Sequence, residues 1–360
     1  MLRYCPVCDE QMDASVCVKH DVPTVNEACF VNPHIPMQLG DLIDGKYTVR
    51  RRLGEGSMGT VYEVRSQNGE RLALKVIKVK EDSSRQVTKR FYREALAGSK
   101  VTHPNVVNIR DFGVDERTGQ PYQTMEFLEG VTLDEYAIRP TFNIAMVLNI
   151  SAQVLKALSH LHELGIVHRD LKPENIMISP SAEGERLKLL DFGIAKILEH
   201  EGDAPTLTAT GVAVGTPHYM SPEQAKGERV TPSADLYSFG CILYELLTGR
   251  PLFDGGDFMS VLISHVRDPA PGLPELTHWG EQIPMAFRET VAMSLAKSPS
   301  GRSATAMAML ASLRNEERIT DPARATSDVD QPKPIGSWVG AVGLLGVFGA
   351  LSYFLYAYVL

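Results

Sequence analysis

Apolar and polar positions along the chain change period several times, and each change marks an element. Tyr47 to Arg65 reads as a strand, a glycine-rich turn and a second strand, and Arg71 to Val79 as a third strand that alternates around Leu72-Ala73-Leu74-Lys75. A helical pattern follows from Gln86 to Ser99. Farther on, the polar loop His168 to Asn175 lies between the apolar runs Ile166-Val167 and Ile176-Met177-Ile178, and Leu187 to Leu190 forms a short strand delivering Asp191-Phe192-Gly193. Gly301 to Arg314 continues a last helical region, after which residues 316–337 are polar, carry three prolines and show no apolar period, as a linker does.

The last segment is of another kind. Trp338 to Leu360 is 23 residues whose only polar groups are Ser352 and the tyrosine hydroxyls. A helix of that length, at about 1.5 Å per residue, covers the roughly 30 Å hydrocarbon core of a bilayer, so a single C-terminal transmembrane helix serving as a tail anchor is expected. Arg318, Arg324 and Lys333 precede the span and no basic residue follows it, which puts the bulk of the chain in the cytoplasm. On a helical wheel Gly336, just before the span, and Gly340, Gly343, Gly346 and Ala350 within it fall on one face, a smooth surface on which a second copy could pack to form a homodimer. Nothing at the N-terminus has the order of a signal peptide.

Composition refines this picture. With 360 residues, 44% of them hydrophobic and 22% charged, the chain has material for a large core and for two substantial lobes. Its net charge of -8 argues against a nucleic-acid partner bound by bulk phosphate neutralisation. Four of the five cysteines (Cys5, Cys8, Cys17 and Cys29) fall in the first 29 residues, which excludes a disulfide framework through the body. Cys5-Pro-Val-Cys8 and Cys17-Val-Lys-His20 are two pairs of ligand spacing that can close a tetrahedron around a structural Zn2+, with Cys29 as the alternative to His20. The segment resembles the small zinc ribbons that precede some bacterial signalling proteins.

The middle of the chain carries the candidate chemistry. Gly54-x-Gly56-x-x-Gly59-x-Val61 lets a backbone approach phosphates unobstructed and offers them amide donors. A dinucleotide site wants a helix to open at these glycines; Thr60 to Val64 reads as a strand, which favours a hairpin flap. Lys75 follows on the next strand, and the helical segment supplies Glu94 to hold it. Asp170 and Asn175, five apart in one loop, and Asp191 after the next strand would supply oxygen ligands for Mg2+ and a carboxylate beside a hydroxyl nucleophile.

Taken in order, Gly54/Gly56/Gly59, Lys75, Glu94, HRDLKPEN at 168–175, DFG at 191–193 and Ser221-Pro222-Glu223 resemble the eukaryotic-type (Hanks-type) serine/threonine protein kinases of bacteria. The resemblance implies an α+β, bilobal protein-kinase fold, with a small β-rich N-lobe and a larger helical C-lobe, over 46–315 (lobes 46–127 and 128–315). It is preceded by the zinc-ribbon-like segment 1–30 and a linker 31–45, and followed by the juxtamembrane linker and the span. It also implies ATP and Mg2+ as cofactors, proteins with Ser or Thr hydroxyls as substrates, and the bacterial inner membrane as the location. Lys75, paired with Glu94, would contact the α and β phosphates; Asp191 and Asn175 would hold the metal ions; Asp170 would accept the substrate's proton and Lys172 touch the γ phosphate. Leu53, Gly54, Glu55, Gly56, Ser57, Met58 and Gly59 would cover the nucleotide, Val61 and Ala73 lie above the adenine, Met177 beneath it, Met125 behind it, and Glu126 to Leu128 form the hinge. Glu223 would pair with Arg302, and Asp235 would hold the catalytic-loop backbone. Thr208 and Thr210, near Thr206 and Thr216 on the activation segment, resemble twin autophosphorylation sites that Arg169 would read. Two departures are small: LALK stands for the commoner VAIK, and Ser221 where Ala is usual. A pseudokinase acting as a membrane scaffold is the rival from another class, and the presence of Lys75, Asp170, Asn175 and Asp191 opposes it.

Overall fold

The computed structural model of the chain describes residues 3–8, 10–26, 36–56, 59–78, 84–182, 184–192 and 217–314. Strands β6 (Leu42–Ile43), β7 (Tyr47–Glu55), β8 (Gly59–Ser66), β9 (Arg71–Ile77), β10 (Ile109–Asp115) and β11 (Gln120–Glu126) form one antiparallel sheet in the order β10-β11-β9-β8-β7-β6. The β8–β9 ladder runs in register from Gly59 opposite Ile77 to Arg65 opposite Arg71. Gly69, at φ 84° in the Asn68-Gly69 turn, supplies the left-handed backbone that a tight hairpin requires. Leu42 and Ile43, within the segment expected to be a linker, instead pair with Tyr47 and Thr48, because Ile43 and Met37 are apolar enough to close the outer edge of the core under the sheet.

Helix α1 (Ser84–Gly98) lies against this sheet, and the remaining helices build the second lobe. They are α2 (Leu133–Ala137), α3 (Ile144–Glu163), α4 (Pro222–Ala225), α5 (Pro232–Thr248), α6 (Phe258–Arg267), α7 (Met285–Ser294) and α8 (Ala306–Arg314). Asn143 starts α3 by accepting from the Met146 amide at 3.0 Å. Pro232 opens α5, and Gly249, at φ 72°, ends it. α3 is the one described helix long and apolar enough to cross a membrane. Val147, Ile150, Val154, Leu155, Leu158 and Leu161 bury it within the lobe's own core, so here length and apolarity reflect internal packing. The expected span 338–360 and the linker 316–337 lie outside the described residues.

A small sheet of β12 (Val131–Thr132), β13 (Ile176–Ser181) and β14 (Gly184–Leu189) sits beside α3 and carries the loops of interest at its ends. At the N-terminus, β1 (Arg3–Tyr4), β2 (Gln11–Met12) and β5 (Val25–Asn26) form one ribbon and β3 (Val16–Cys17) and β4 (Val22–Pro23) a second. The main core cluster runs from Ala73, Met125 and Phe192 down through α3, α5 and α8, joining the two lobes with apolar contacts.

Candidate functional site

The glycine-rich turn sits where β7 passes into β8. The Gly56 amide donates to the Gly59 carbonyl at 2.9 Å, and Lys78 Nζ donates to the Gly56 carbonyl at 3.1 Å and pairs with Glu55 at 2.8 Å. The three glycines serve different ends. A Cβ on Gly59 would stand 2.2 Å from the Val76 carbonyl oxygen, so this residue is needed for the strands to approach. Among the described residues nothing lies within 4 Å of a Cβ on Gly54, and the nearest atom to one on Gly56 is 4.0 Å away. Among the described residues those two meet no packing contact that would exclude a side chain, as expected of a backbone that must admit phosphates. Leu53 is exposed on the same strand; Ser57 and Met58 lie outside the described residues.

Lys75 points inward from β9 and is only 4% exposed. Its Nζ meets Asp191 Oδ2 at 2.7 Å, which brings the strand lysine and the DFG carboxylate of the other lobe together. Glu94 lies on α1 between Arg93 and Ala95, and its side chain is outside the described residues. Asp191 has φ 55° and Arg169 φ 67°, positions in the left-handed region that non-glycine residues hold only when their surroundings impose it. The surroundings of Arg169 are clear: Asp235 accepts from the amides of His168 and Arg169, each at 2.9 Å, and from His162 Nε2 at 2.8 Å, while Gln224 Nε2 donates to the Arg169 carbonyl at 2.7 Å. Asp235 thus holds the backbone at the start of the 168–175 loop. His162 and Gln224 join it from α3 and α4, and no sequence motif pointed to them because their approach depends on how those helices pack.

Within the loop, Asp170 receives Asn175 Nδ2 at 3.0 Å on its carboxylate and at 2.7 Å on its carbonyl, and Lys172 Nζ lies 3.2 Å from the same carboxylate. Committing the Asn175 nitrogen to Asp170 makes its side-chain oxygen the atom available to a hard cation, so Asn175 and Asp191 fit the all-oxygen ligand set of Mg2+. Ala73, Met125, Val61 and Leu128 share one apolar cluster across the hinge, and Met177 lies on β13 opposite Lys188. Glu126 is fastened by Lys188 Nζ at 2.7 Å and the Asn108 amide at 2.8 Å, so its carboxylate is a structural group at the hinge.

Below the site, Arg302 donates to both oxygens of Glu223, at 2.7 and 2.9 Å, with both side chains almost wholly buried. Ser221 has a positive reason to replace alanine. It caps α4 reciprocally with Gln224, accepting from its amide at 3.3 Å and donating to its side chain at 2.9 Å.

The cysteine pairs also converge. Ligand atoms of Cys5, Cys8, Cys17 and His20 lie within 4.8 Å of one another. His20 Nδ1 is 3.7 Å from Cys5 Sγ and 3.6 Å from Cys17 Sγ, and the amides of Val7 and Cys8 donate to Cys5 Sγ at 3.4 and 3.5 Å. Burial works against ionisation of Cys17, yet hydrogen bonds from His20 and Cys5 outweigh it and bring the thiol down to about 7. Three sulfurs and an imidazole suit zinc. Cys29 lies outside the described residues, as do Thr206, Thr208, Thr210 and Thr216.

The protein kinase domain family matches residues 47–313. Serine/threonine-protein kinase pkn3 of Myxococcus xanthus is 38% identical over 297 residues, 81% of this chain and 54% of that protein. PrkC of Bacillus subtilis is 35% identical over 79% of this chain and 44% of its own length, and PknA of Mycobacterium tuberculosis 34% over 74% and 60%. The crystal structure of the PknI kinase domain of Mycobacterium tuberculosis superposes with a TM-score of 0.60 at 24% identity, covering 78% of this chain and 99% of that one, a likeness of fold. The chain therefore belongs to the protein kinase family and carries a bacterial serine/threonine kinase domain with the bilobal kinase fold. That family uses ATP and Mg2+. The chain spans about half the length of the curated relatives it matches.

Proposed function

We propose that this protein is a membrane-anchored serine/threonine kinase that transfers the γ-phosphoryl group of ATP to Ser or Thr hydroxyls of proteins, itself included. The observation that carries this reading is the grouping of Asp170, Lys172 and Asn175 in one loop, joined by the Asn175 carbonyl to the Leu190 amide at 2.8 Å, next to the Asp191 that pairs with Lys75. Phosphoryl transfer is catalysed mainly by positioning and electrostatics. Lys75, supported by Glu94, orients the α and β phosphates, Lys172 neutralises charge on the transferred group, and Asp170 takes the hydroxyl proton. Asp191 and Asn175 would hold magnesium, which would supply positive charge against that of the phosphates. The open backbone at Gly54 and Gly56, with Leu53, Glu55, Ser57, Met58 and Gly59, covers the nucleotide; Val61, Ala73 and Met177 clasp the adenine and the hinge at Glu126 and Leu128 binds its edge.

The finer parts of the reading have separate support. Zinc is assigned to Cys5, Cys8, Cys17 and His20 on their convergence. The inner-membrane anchor rests on the uncharged 23 residues 338–360, and a homodimer on their glycine face. Activation by phosphorylation of Thr208 and Thr210 rests on Arg169, which precedes Asp170 as a reader of phosphate would. Transfer of labelled phosphate from ATP to the chain and to an added acceptor protein tests the central claim. The Asp170→Asn protein is expected to lose at least about a hundredfold in rate, whereas equal, negligible incorporation by wild type and variant would leave the pseudokinase scaffold as the better reading.

A further inference from the structure

Helix α1 carries Glu94, and its described contacts run in two directions. On one side Phe91, Tyr92 and Ala95 are buried in a cluster whose opposite wall is the cysteine knuckle: Tyr4, Cys5, Cys17, Val22 and Val25. Phe91, Tyr92 and Phe112 of β10 meet edge to face with centroids 5.6 to 6.4 Å apart, so the surface under the knuckle is a stiff aromatic plate. Arg3 closes the rim through Glu116 at 2.9 Å. At the other end, Gly98 abuts the residue next to Asp191: a Cβ there would come within 3.2 Å of the Phe192 ring and 2.7 Å of the Ile109 methyl.

Cys5 and Cys17 belong both to the ligand group and to this apolar cluster. The five strands around them are two residues each, too short to hold a core without a further constraint. In modules of this size bound metal supplies the folding free energy. Loss of metal therefore releases the ligands and, with them, the wall that covers Phe91 and Tyr92. A kinase is competent only while this helix keeps its glutamate on the strand lysine and the DFG aspartate stays in place.

We propose that the zinc-loaded knuckle is a clamp on α1, so that metal occupancy of Cys5, Cys8, Cys17 and His20 sets the phosphotransfer rate through the position of the helix. The proposal rests on the zinc assignment made above. It is tested on the full chain, purified with its metal, by stripping with a zinc-selective chelator in excess Mg2+ and then restoring zinc. Three quantities are read: zinc per chain, amide exchange across 91–98, and phosphate transfer. Removal is expected to speed exchange in α1 and slow transfer, each about tenfold, and re-addition to reverse both. A Val7→Asp protein keeps all four ligands and disturbs only the packed face; it is expected to retain zinc yet show the same loosened helix and slower transfer. Zinc that comes and goes with neither exchange nor transfer changing overturns the clamp while sparing the metal site. A purified active chain that takes up no zinc overturns the metal assignment and the clamp with it.

Discussion

Lys75 Nζ and Asp191 Oδ2 stand 2.7 Å apart, one from the central strand of the N-lobe sheet, the other from the segment after β14 in the second lobe. The pair gathers opposite charges at the place where a triphosphate and its metal are to be held. Lys75→Met is expected to reduce phosphate transfer by at least about a hundredfold while shifting the thermal midpoint by only a few degrees, as Asp191 retains access to water. A matching collapse in melting temperature would make the lysine a structural residue instead. Labelled-ATP transfer and calorimetry on the same preparation separate the outcomes.

The glycines of the flap predict opposite effects. Gly59→Ala forces a Cβ to 2.2 Å from the Val76 carbonyl, and parting β8 from β9 is expected to cost about 1 to 3 kcal/mol. Gly54→Ala meets none of the described residues within 4 Å, so its melting temperature should match the wild type while its KM for ATP rises. Thermal unfolding and ATP titration of the two variants check the contrast.

Glu223 and Arg302 form a bidentate pair out of contact with water. Removing one partner leaves the other charge buried, so Glu223→Gln or Arg302→Leu is expected to destabilise the lobe by about 3 to 5 kcal/mol. Removing both together should cost less than the sum of the single changes. Urea unfolding of the four proteins measures the coupling.

His265 is buried in α6 with its Nδ1 2.9 Å from the Tyr237 hydroxyl. Burial, joined by the charges of Lys297 and His218, pushes its pKa down to about 3. The unfolded chain takes up a proton near pH 6.5, while the folded one does not. Its contribution to stability is therefore complete above pH 6.5 and lost as the pH falls from there toward about 3. The wild type is expected to lose stability over that window faster than His265→Gln, with a difference in slope of about 1.4 kcal/mol per pH unit. Urea midpoints for both proteins between pH 6 and 4, where the unfolded chain is protonated and the folded one is not, give that difference.

Two features of the site differ in how far they are written locally in the chain. Ser221 departs from alanine without changing size much, and it opens a Ser-x-x-Gln capping box that Gln224 completes. Glu126 was expected at the hinge for its adenine contacts; that its carboxylate is fastened by Lys188 depends on β14 arriving from 62 residues away. The first signal is a local pattern whose hydrogen bonds the structure supplies; the second exists in no local pattern, since it requires two distant elements to pack at one angle.

By itself the sequence determined the strand, turn and strand around Gly54 to Gly59, the order of the polar groups from Lys75 to Asp191, and the spacing of the two cysteine pairs. These follow from side-chain period, turn chemistry and ligand spacing, all written in runs of a few residues. Only the tertiary structure decided that Asp235 gathers His162 with the His168 and Arg169 amides, and that the knuckle rests on α1 beside Tyr92. Those arrangements arise from the close packing of apolar faces, which selects partners by shape and burial across the whole chain, with no regard to their distance along it.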